Sequence, residues 1–178
     1  MFSLIRTFAG DMEIRIKDSS LQQAAAEGMD AFVDVFVDAI NAAIGNQLTV
    51  ETMSELNSDQ ITLLAYRSLR DEVMDGGFVQ LIHNGYGPFI FLNPFAKAMR
   101  LWGAHDLSKL IYKGRKFFEK HGRDLADDMS DDEFMALFEQ YPEADDLDDA
   151  FVEMEEEATD IIAHYVDEHL EQFISIEQ

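Results

Sequence analysis

The spacing of apolar residues along the chain predicts a mainly α-helical fold. Between Leu21 and Ile44 the apolar positions are three or four residues apart, which is the period of a helix with one buried face, and Gly45 ends the pattern. The same spacing recurs in four further segments. These segments are residues 61–73, 95–102, 107–121 and 151–173. We therefore expect a single compact multi-helix domain over residues 1–178.

Polar residues and glycines at the edges of these segments predict helix ends. Asn57 with Gln60, and Ser130 with Glu133, have the spacing of a capping box, in which two residues bond each other's backbone at the start of a helix. Gly122 is predicted to stop the helix that precedes it. Two weak joints between helices are expected, at residues 122–130 and 139–149.

A segment near the N-terminus has a different period. Met12, Ile14 and Ile16 alternate with charged residues, which is typical of a short strand over residues 11–17. Residues 173–176 are the candidate partner strand, and an unpaired extended arm is the alternative. A short two-stranded β pairing of the termini would then accompany the helices.

Composition excludes several classes of protein. With 47% hydrophobic residues the chain is too apolar to be disordered, and the absence of cysteine excludes disulfides, cysteine-bound metals and thiol catalysis. No apolar run reaches the roughly 18 residues of a membrane span. We therefore expect a cytoplasmic protein that does not associate with membranes.

Charge divides the chain into two unequal parts. Residues 124–178 contain 21 of the 36 acidic residues and none of the 13 lysines and arginines, and the net charge is −23. Apolar stripes and a capping box within this region predict folded acidic helices docked on the body, not a disordered tail. Such a charge repels nucleic acid and anionic membranes, and attracts cations or basic proteins.

The acidic residues of the last predicted helix are dense enough to resemble DNA. Residues 153–171 hold eight acids over about 28 Å of helix, or one charge per roughly 3.6 Å, against about 3.4 Å along one strand of DNA. No base separates them, so like charges repel at a cost to helix stability. We predict that this region binds a basic partner protein. The predicted binding residues are Glu153, Glu156, Glu157, Asp160, Asp167, Glu168 and Glu171, supported by Asp145, Asp146, Asp148 and Asp149.

Two other classes of function remain open at this point. The acidic residues could bind Ca²⁺ or Mg²⁺, although the EF-hand spacing is missing, and His164 alone makes a poor transition-metal site. Polar side chains at residues 80–86 could line a small-ligand or catalytic pocket, although no known catalytic motif is present. We expect no metal, no cofactor and no catalytic residue.

Residues 72–85, with the sequence E-V-M-D-G-G-F-V-Q-L-I-H-N-G, carry a family resemblance. They resemble the E-V-x-N-G-G-F-x-Q signature of a bacterial family of DNA-mimic proteins, also classed as a domain of unknown function. The similarity covers residues 60–105, and Asp75 stands where the family has asparagine. The residues that match the signature are Glu72, Gly76, Gly77, Phe78, Gln80 and Asn84.

The resemblance implies both a structure and a function. It implies a double-glycine turn between helices, with Gln80 and Asn84 bonding backbone groups. It also implies a non-enzymatic homodimer whose acidic surface occupies a helix-turn-helix regulator in place of DNA. Neither the regulator nor the exact binding acids follow from the signature.

Overall fold

A computed structural model describes residues 12–126 and 128–178 and confirms the mainly α-helical fold. These residues form ten helices and two short strands. The chain groups into two compact units, one drawn from Met1–Leu64 and Ala163–Gln178, the other from Ala65–Ile162. The single domain expected over residues 1–178 stays a prediction.

The first unit combines both ends of the described chain. Its apolar interior includes Phe36 and Phe173, whose rings meet edge to face with centroids 6.2 Å apart. The two strands pair in parallel, with Ile16 opposite Ile176, so the predicted pairing of the termini is confirmed. The elements of this unit are β1 (Arg15–Lys17), α1 (Asp18–Glu27), α2 (Met29–Ala43), α3 (Val50–Met53), the start of α4 (Ser58–His83), the end of α9 (Pro142–Glu168), α10 (Leu170–Phe173) and β2 (Ser175–Glu177).

The single long helix predicted around residues 21–44 is wrong. Gly28 has φ 128, which a side chain rarely adopts, and it separates α1 from α2. Ala25 and Met29, which fitted the helical spacing across this break, are exposed. The apolar pattern continued through the glycine because residues on both sides happen to keep the same period.

The second unit contains the rest of α4 and most of α9. Fully buried side chains at its centre include Phe78, Phe91 and Phe151. Phe78 and Phe91 stack with ring centroids 6.3 Å apart. The remaining helices of this unit are α5 (Gly87–Phe91), α6 (Phe95–Leu101), α7 (His105–Leu125) and α8 (Asp131–Gln140).

Both capping boxes are confirmed. The Asn57 N–H donates to Gln60 Oε1 at 3.0 Å while the Gln60 N–H donates to Asn57 Oδ1 at 2.9 Å. At the start of α8, the Ser130 N–H donates to Glu133 Oε2 at 2.8 Å and the Glu133 N–H donates to Ser130 Oγ.

Two predicted helix boundaries are wrong. Gly122 does not stop α7, which runs on to Leu125; it is a packing glycine, because a Cβ there would lie 2.7 Å from the Phe118 ring. The joint expected at residues 139–149 is mostly helix, since α9 already begins at Pro142. Proline suits the first helical position, where its missing N–H costs no hydrogen bond.

Candidate partner-binding surface

Seven acidic residues of α9 lie on one exposed face of the helix. A helix turns about 100° per residue, so positions three, four, seven or eleven apart lie on the same side. By this spacing the acids form two neighbouring rows, and all seven side chains are exposed. We call this set the outer acidic face; it consists of Asp145, Asp149, Glu156 and Asp160 in one row and Asp146, Glu153 and Glu157 in the other.

The outer acidic face has the charge density of one DNA strand. From Asp145 to Asp160 the helix rises about 22 Å, which gives about one carboxylate per 3 Å. One strand of B-DNA carries one phosphate per about 3.4 Å, and the duplex carries twice that density. The face therefore offers a basic partner a fixed array of anions with strand-like density.

Three further predicted binding residues belong to the other compact unit. Asp167 and Glu168 lie in the last turn of α9, Glu171 lies in α10, and all three are exposed. Their accessibility is consistent with partner binding. Their role there stays a prediction.

Asp148, also predicted to support binding, lies on a different side of α9. Its side chain is half-buried, and Oδ1 accepts a hydrogen bond from the Phe78 N–H at 2.8 Å. Burial raises the pKa of Asp148 to about 6; the Phe78 hydrogen bond opposes this rise, and the charges of Asp145 and Asp149 add to it. One of its oxygens is thus already engaged inside the protein.

Glu155 is the second inward acid of α9. It is only 7% exposed, and it forms an ion pair with Arg70 of α4. Thr159 Oγ1 donates to Glu155 Oε1 at 3.2 Å and lies 2.6 Å from the Tyr66 hydroxyl. These groups satisfy a carboxylate that would otherwise be buried without a counterion.

We call Asp148, Glu155 and Thr159 the inner polar row. Their partners on α4, in order, are Phe78, Arg70 and Tyr66, so the two helices run antiparallel along this contact. Because the inner polar row points into the second unit, the opposite side of the helix is turned outward. These contacts therefore fix the rotation of α9 that exposes the outer acidic face.

Gly77 allows the close approach of Asp148 to α4. Gly77 has φ 76 and interrupts the helical geometry of α4, as the predicted double-glycine turn requires. A Cβ on Gly77 would lie 2.2 Å from Asp148 Oδ2. Glycine is thus needed here both for the backbone conformation and for the space that the carboxylate occupies.

The other signature residues form a small side-chain network on α4. Gln80 Nε2 donates to Glu72 Oε2 at 3.1 Å and to Asp75 Oδ2 at 2.9 Å, and Asn84 Nδ2 donates to Glu72 Oε2 at 2.9 Å. The expectation that Gln80 and Asn84 bond backbone groups was wrong. Instead, their amide groups bond carboxylates that lie 5 to 12 residues earlier in the chain, before the break at Gly77.

Glu143 holds the first turn of α9 against α7. It accepts a hydrogen bond from His121 Nε2 at 2.5 Å, and Lys120 Nζ lies 3.5 Å away. The His121 hydrogen bond is the largest cause that lowers the pKa of Glu143. The inner polar row is therefore supplemented by a contact at the helix start that the sequence did not reveal.

The polar residues predicted to line a pocket are engaged with neighbouring groups of the protein. The amide groups of Gln80 and Asn84 bond neighbouring carboxylates, as described above, and His83 Nδ1 lies 2.8 Å from the Leu125 carbonyl oxygen. Within residues 12–126 and 128–178, no three histidines or carboxylates are grouped to hold a metal ion.

None of the helices in those ranges is long and apolar enough to span a membrane.

Comparison with known proteins places this architecture in a family. Residues 54–169, which include the Gly77 turn and the whole outer acidic face, match the model of the DMP19-like proteins. The chain belongs to the DMP19-like protein family. It is 37% identical over 131 residues to the protein of Neisseria meningitidis serogroup B (strain MC58) named DNA mimic protein DMP19. That alignment covers 72% of this chain and 78% of the relative, and it confirms the resemblance to a DNA-mimic family.

Proposed function

We propose that this DMP19-like protein is a non-enzymatic DNA mimic whose outer acidic face binds a DNA-binding protein, of the helix-turn-helix type, in competition with DNA. The observation that carries the proposal is the arrangement of seven exposed carboxylates in two rows on one side of α9. The name of the 37% identical relative supports the same interpretation.

The physical basis is the substitution of carboxylates for phosphates. A DNA-binding surface carries lysine and arginine side chains that pair with phosphate oxygens along a strand. Carboxylates of similar density can pair with those same side chains, and such pairing weakens as salt screens the charges. The array is also rigid, because the inner polar row holds the helix; a rigid array loses little conformational entropy on binding.

The experiment compares three proteins in one competition assay. A regulator captured at low salt is bound to its labelled operator DNA, and the wild type is added to displace it. The test variant carries Asp145→Asn, Asp149→Asn, Glu153→Gln and Glu156→Gln. The control variant removes the same four charges elsewhere, by Glu27→Gln, Asp38→Asn, Glu55→Gln and Asp128→Asn, all at exposed positions.

We expect the wild type and the control variant to displace DNA at similar concentrations. The test variant should require about 100-fold more protein, since each lost ion pair contributes about 0.5–1 kcal/mol. Displacement should also weaken with added salt, less steeply for the test variant. Equal displacement by the test variant and the wild type would refute the assignment of this face.

Two parts of the proposal need separate tests. A variant that neutralises Asp167, Glu168 and Glu171 together tests whether they contribute to binding. An unchanged displacement curve would show that these three residues do not bind the partner.

Analytical ultracentrifugation tests the predicted homodimer. A single species at the monomer mass would contradict the dimer. The predicted cytoplasmic location stays a prediction.

A further inference from the structure

A row of basic side chains runs along the exposed side of α7. Its members are four, three, four and three residues apart, so they lie on one side of the helix, and all are exposed. Residues 97–123 hold eight of the 13 lysines and arginines and only two acids, in a protein of net charge −23. We call this set the basic row; it consists of Lys109, Lys113, Lys116, Lys120 and Arg123.

The basic row and the outer acidic face lie side by side. Near the end of α7, His121 bonds Glu143 at the start of α9. Near the start of α7, Leu107 lines the same cavity as Ala158 of α9. The two helices are thus antiparallel neighbours, and the axes of packed helices are about 8–10 Å apart. Because each charged row lies opposite the buried side of its helix, the two rows form adjacent ridges of opposite sign.

A partner bound to the outer acidic face extends beyond a single helix. A stable interface buries about 800 Å² on each protein, whereas a face about 22 Å long and about 10 Å wide supplies about a quarter of that area. The next helix on the side of Glu157 is α7. A partner that reaches over α7 therefore meets lysines, where a DNA duplex would present further phosphates.

Two lysines at the middle of the basic row are available to such a partner. Lys109 and Lys120, toward its two ends, each lie within 3.5 Å of an acid of this protein. Lys113 and Lys116 form no ion pair within the part of the chain that the structure describes. A carboxylate of the partner placed over them would be attracted, and a further cation would be repelled.

We propose that the basic row makes this surface selective for a DNA-binding protein whose basic residues are flanked by acidic ones. This inference rests on the proposed function and deepens it. The lysines and arginines of the partner pair with α9, and its neighbouring carboxylates pair with α7. A uniformly basic surface of the same size is attracted by α9 but repelled by α7, and such repulsion of wrong partners is a means of specificity.

Two helical peptides and one double variant test this selectivity. The mixed peptide carries a row of lysines and, on the adjacent side of the helix, two glutamates three residues apart, which is the spacing of Lys113 and Lys116. The basic peptide is identical except for glutamine at both glutamate positions. Calorimetry at low salt measures the affinity of each peptide for the wild type and for the variant Lys113→Gln, Lys116→Gln.

The double variant should shift the two affinities in opposite directions. The mixed peptide should bind about fivefold more weakly, because two ion pairs with α7 are lost. The basic peptide should bind about threefold more tightly, because two repelling charges are removed. The control variant Arg15→Gln, Lys17→Gln removes two exposed positive charges from β1. It should change each affinity by less than about 1.5-fold, since salt screens distant charges.

Several outcomes would contradict the inference. Circular dichroism of each variant first verifies the helix content. An unchanged or tighter affinity of the mixed peptide for the α7 double variant would overturn the inference, as would equal shifts in the control variant. If the wild type binds the basic peptide but not the mixed one, the inference fails and the proposed function stands. If the wild type binds neither peptide, both fail.

Discussion

Acidic residues lie on two sides of α9. Those on the inner side have partners within the protein, and those on the outer side repel each other. On the inner side, Glu155 is paired with Arg70, and Asp148 accepts the Phe78 N–H, so each of these side chains has a partner on α4. On the outer side, like charges face each other, as in Asp145 with Asp149 and Glu156 with Asp160. Each such pair destabilises the helix by about 0.2–0.5 kcal/mol.

This difference shows how a repulsive surface can be kept in place. Solvation alone would let the acidic helix rotate or fray to relieve its like-charge contacts. The inner polar row prevents this, because rotation would bury outer carboxylates and expose apolar residues such as Phe151 and Ile162. The outer side is therefore available for binding, while the contacts of the inner polar row keep α9 in position.

The largest expected effect comes from breaking the inner ion pair. Arg70→Met should leave Glu155 buried without this counterion, and should lower the free energy of unfolding by about 2–4 kcal/mol. Urea denaturation followed by circular dichroism measures this loss. Glu156→Gln, one residue along on the exposed side, is the control; it removes like-charge contacts with Glu153 and Asp160 and should not lower stability. A loss below about 1 kcal/mol for Arg70→Met would show that the inner pair does not hold α9.

The next effect tests the space that Gly77 leaves for Asp148. Gly77→Ala should destabilise by about 2–3 kcal/mol, because it adds a steric contact to the strain of a positive φ. Gly45→Ala is a matched control: Gly45 has φ 68, but a Cβ there meets no atom within 4 Å, so only the strain of about 1 kcal/mol remains. Equal losses of unfolding free energy for the two variants would mean that the carboxylate moves aside at no cost.

A smaller effect links the two sides of the helix through pH. Because the pKa of folded Asp148 is raised to about 6, the folded state holds this proton more tightly than the unfolded chain does. Its contribution to stability is therefore largest below about pH 4 and is lost as the pH rises through 6. Asp148→Asn should raise the melting temperature at pH 7 and leave it unchanged at pH 4.

The same titration offers a direct test of coupling between the sides. The outer charges of Asp145 and Asp149 contribute to the raised pKa. The double variant Asp145→Asn, Asp149→Asn should therefore lower the pKa of Asp148, measured by NMR titration of its carboxyl carbon. An unchanged pKa would show that solvent screens the outer carboxylates from the inner one.

The smallest expected effect is a gain in stability. Glu153→Gln removes like-charge contacts with Asp149, Glu156 and Glu157, and should raise the free energy of unfolding by about 0.5–1 kcal/mol. The same change should weaken binding to a basic partner. A variant that was both less stable and a weaker binder would contradict the conclusion that the outer carboxylates serve binding and destabilise α9.

The period of apolar residues predicted the helical fold, and the same period distinguishes the inner acids from the outer ones. Asp148 lies three residues before Phe151 and Glu155 four after it, so both belong to the apolar side of α9. An acid on an apolar stripe indicates a buried partner. Counting acids along the chain instead placed Asp148 among the binding residues.

Other features could not be predicted from local pattern. The helix break at Gly28 depends on a positive φ that the neighbouring residues do not reveal, and Gly122 serves packing against Phe118 instead of ending α7. The pairing of Arg70 with Glu155 joins residues 85 positions apart. Such contacts follow from how helices pack in space, and a single sequence contains no measure of that.

The absence of lysine from residues 124–178 has a practical consequence for chemistry on this protein. Reagents that attack side-chain amines cannot modify α8 or α9, whereas Lys109, Lys113 and Lys116 on α7 are exposed and reactive. Coupling through these amines would attach the protein to a sensor surface without altering the outer acidic face. Carbodiimide activation would do the reverse, since it consumes carboxylates. Preparations made in these two ways would differ in whether the array is intact, without a mutation.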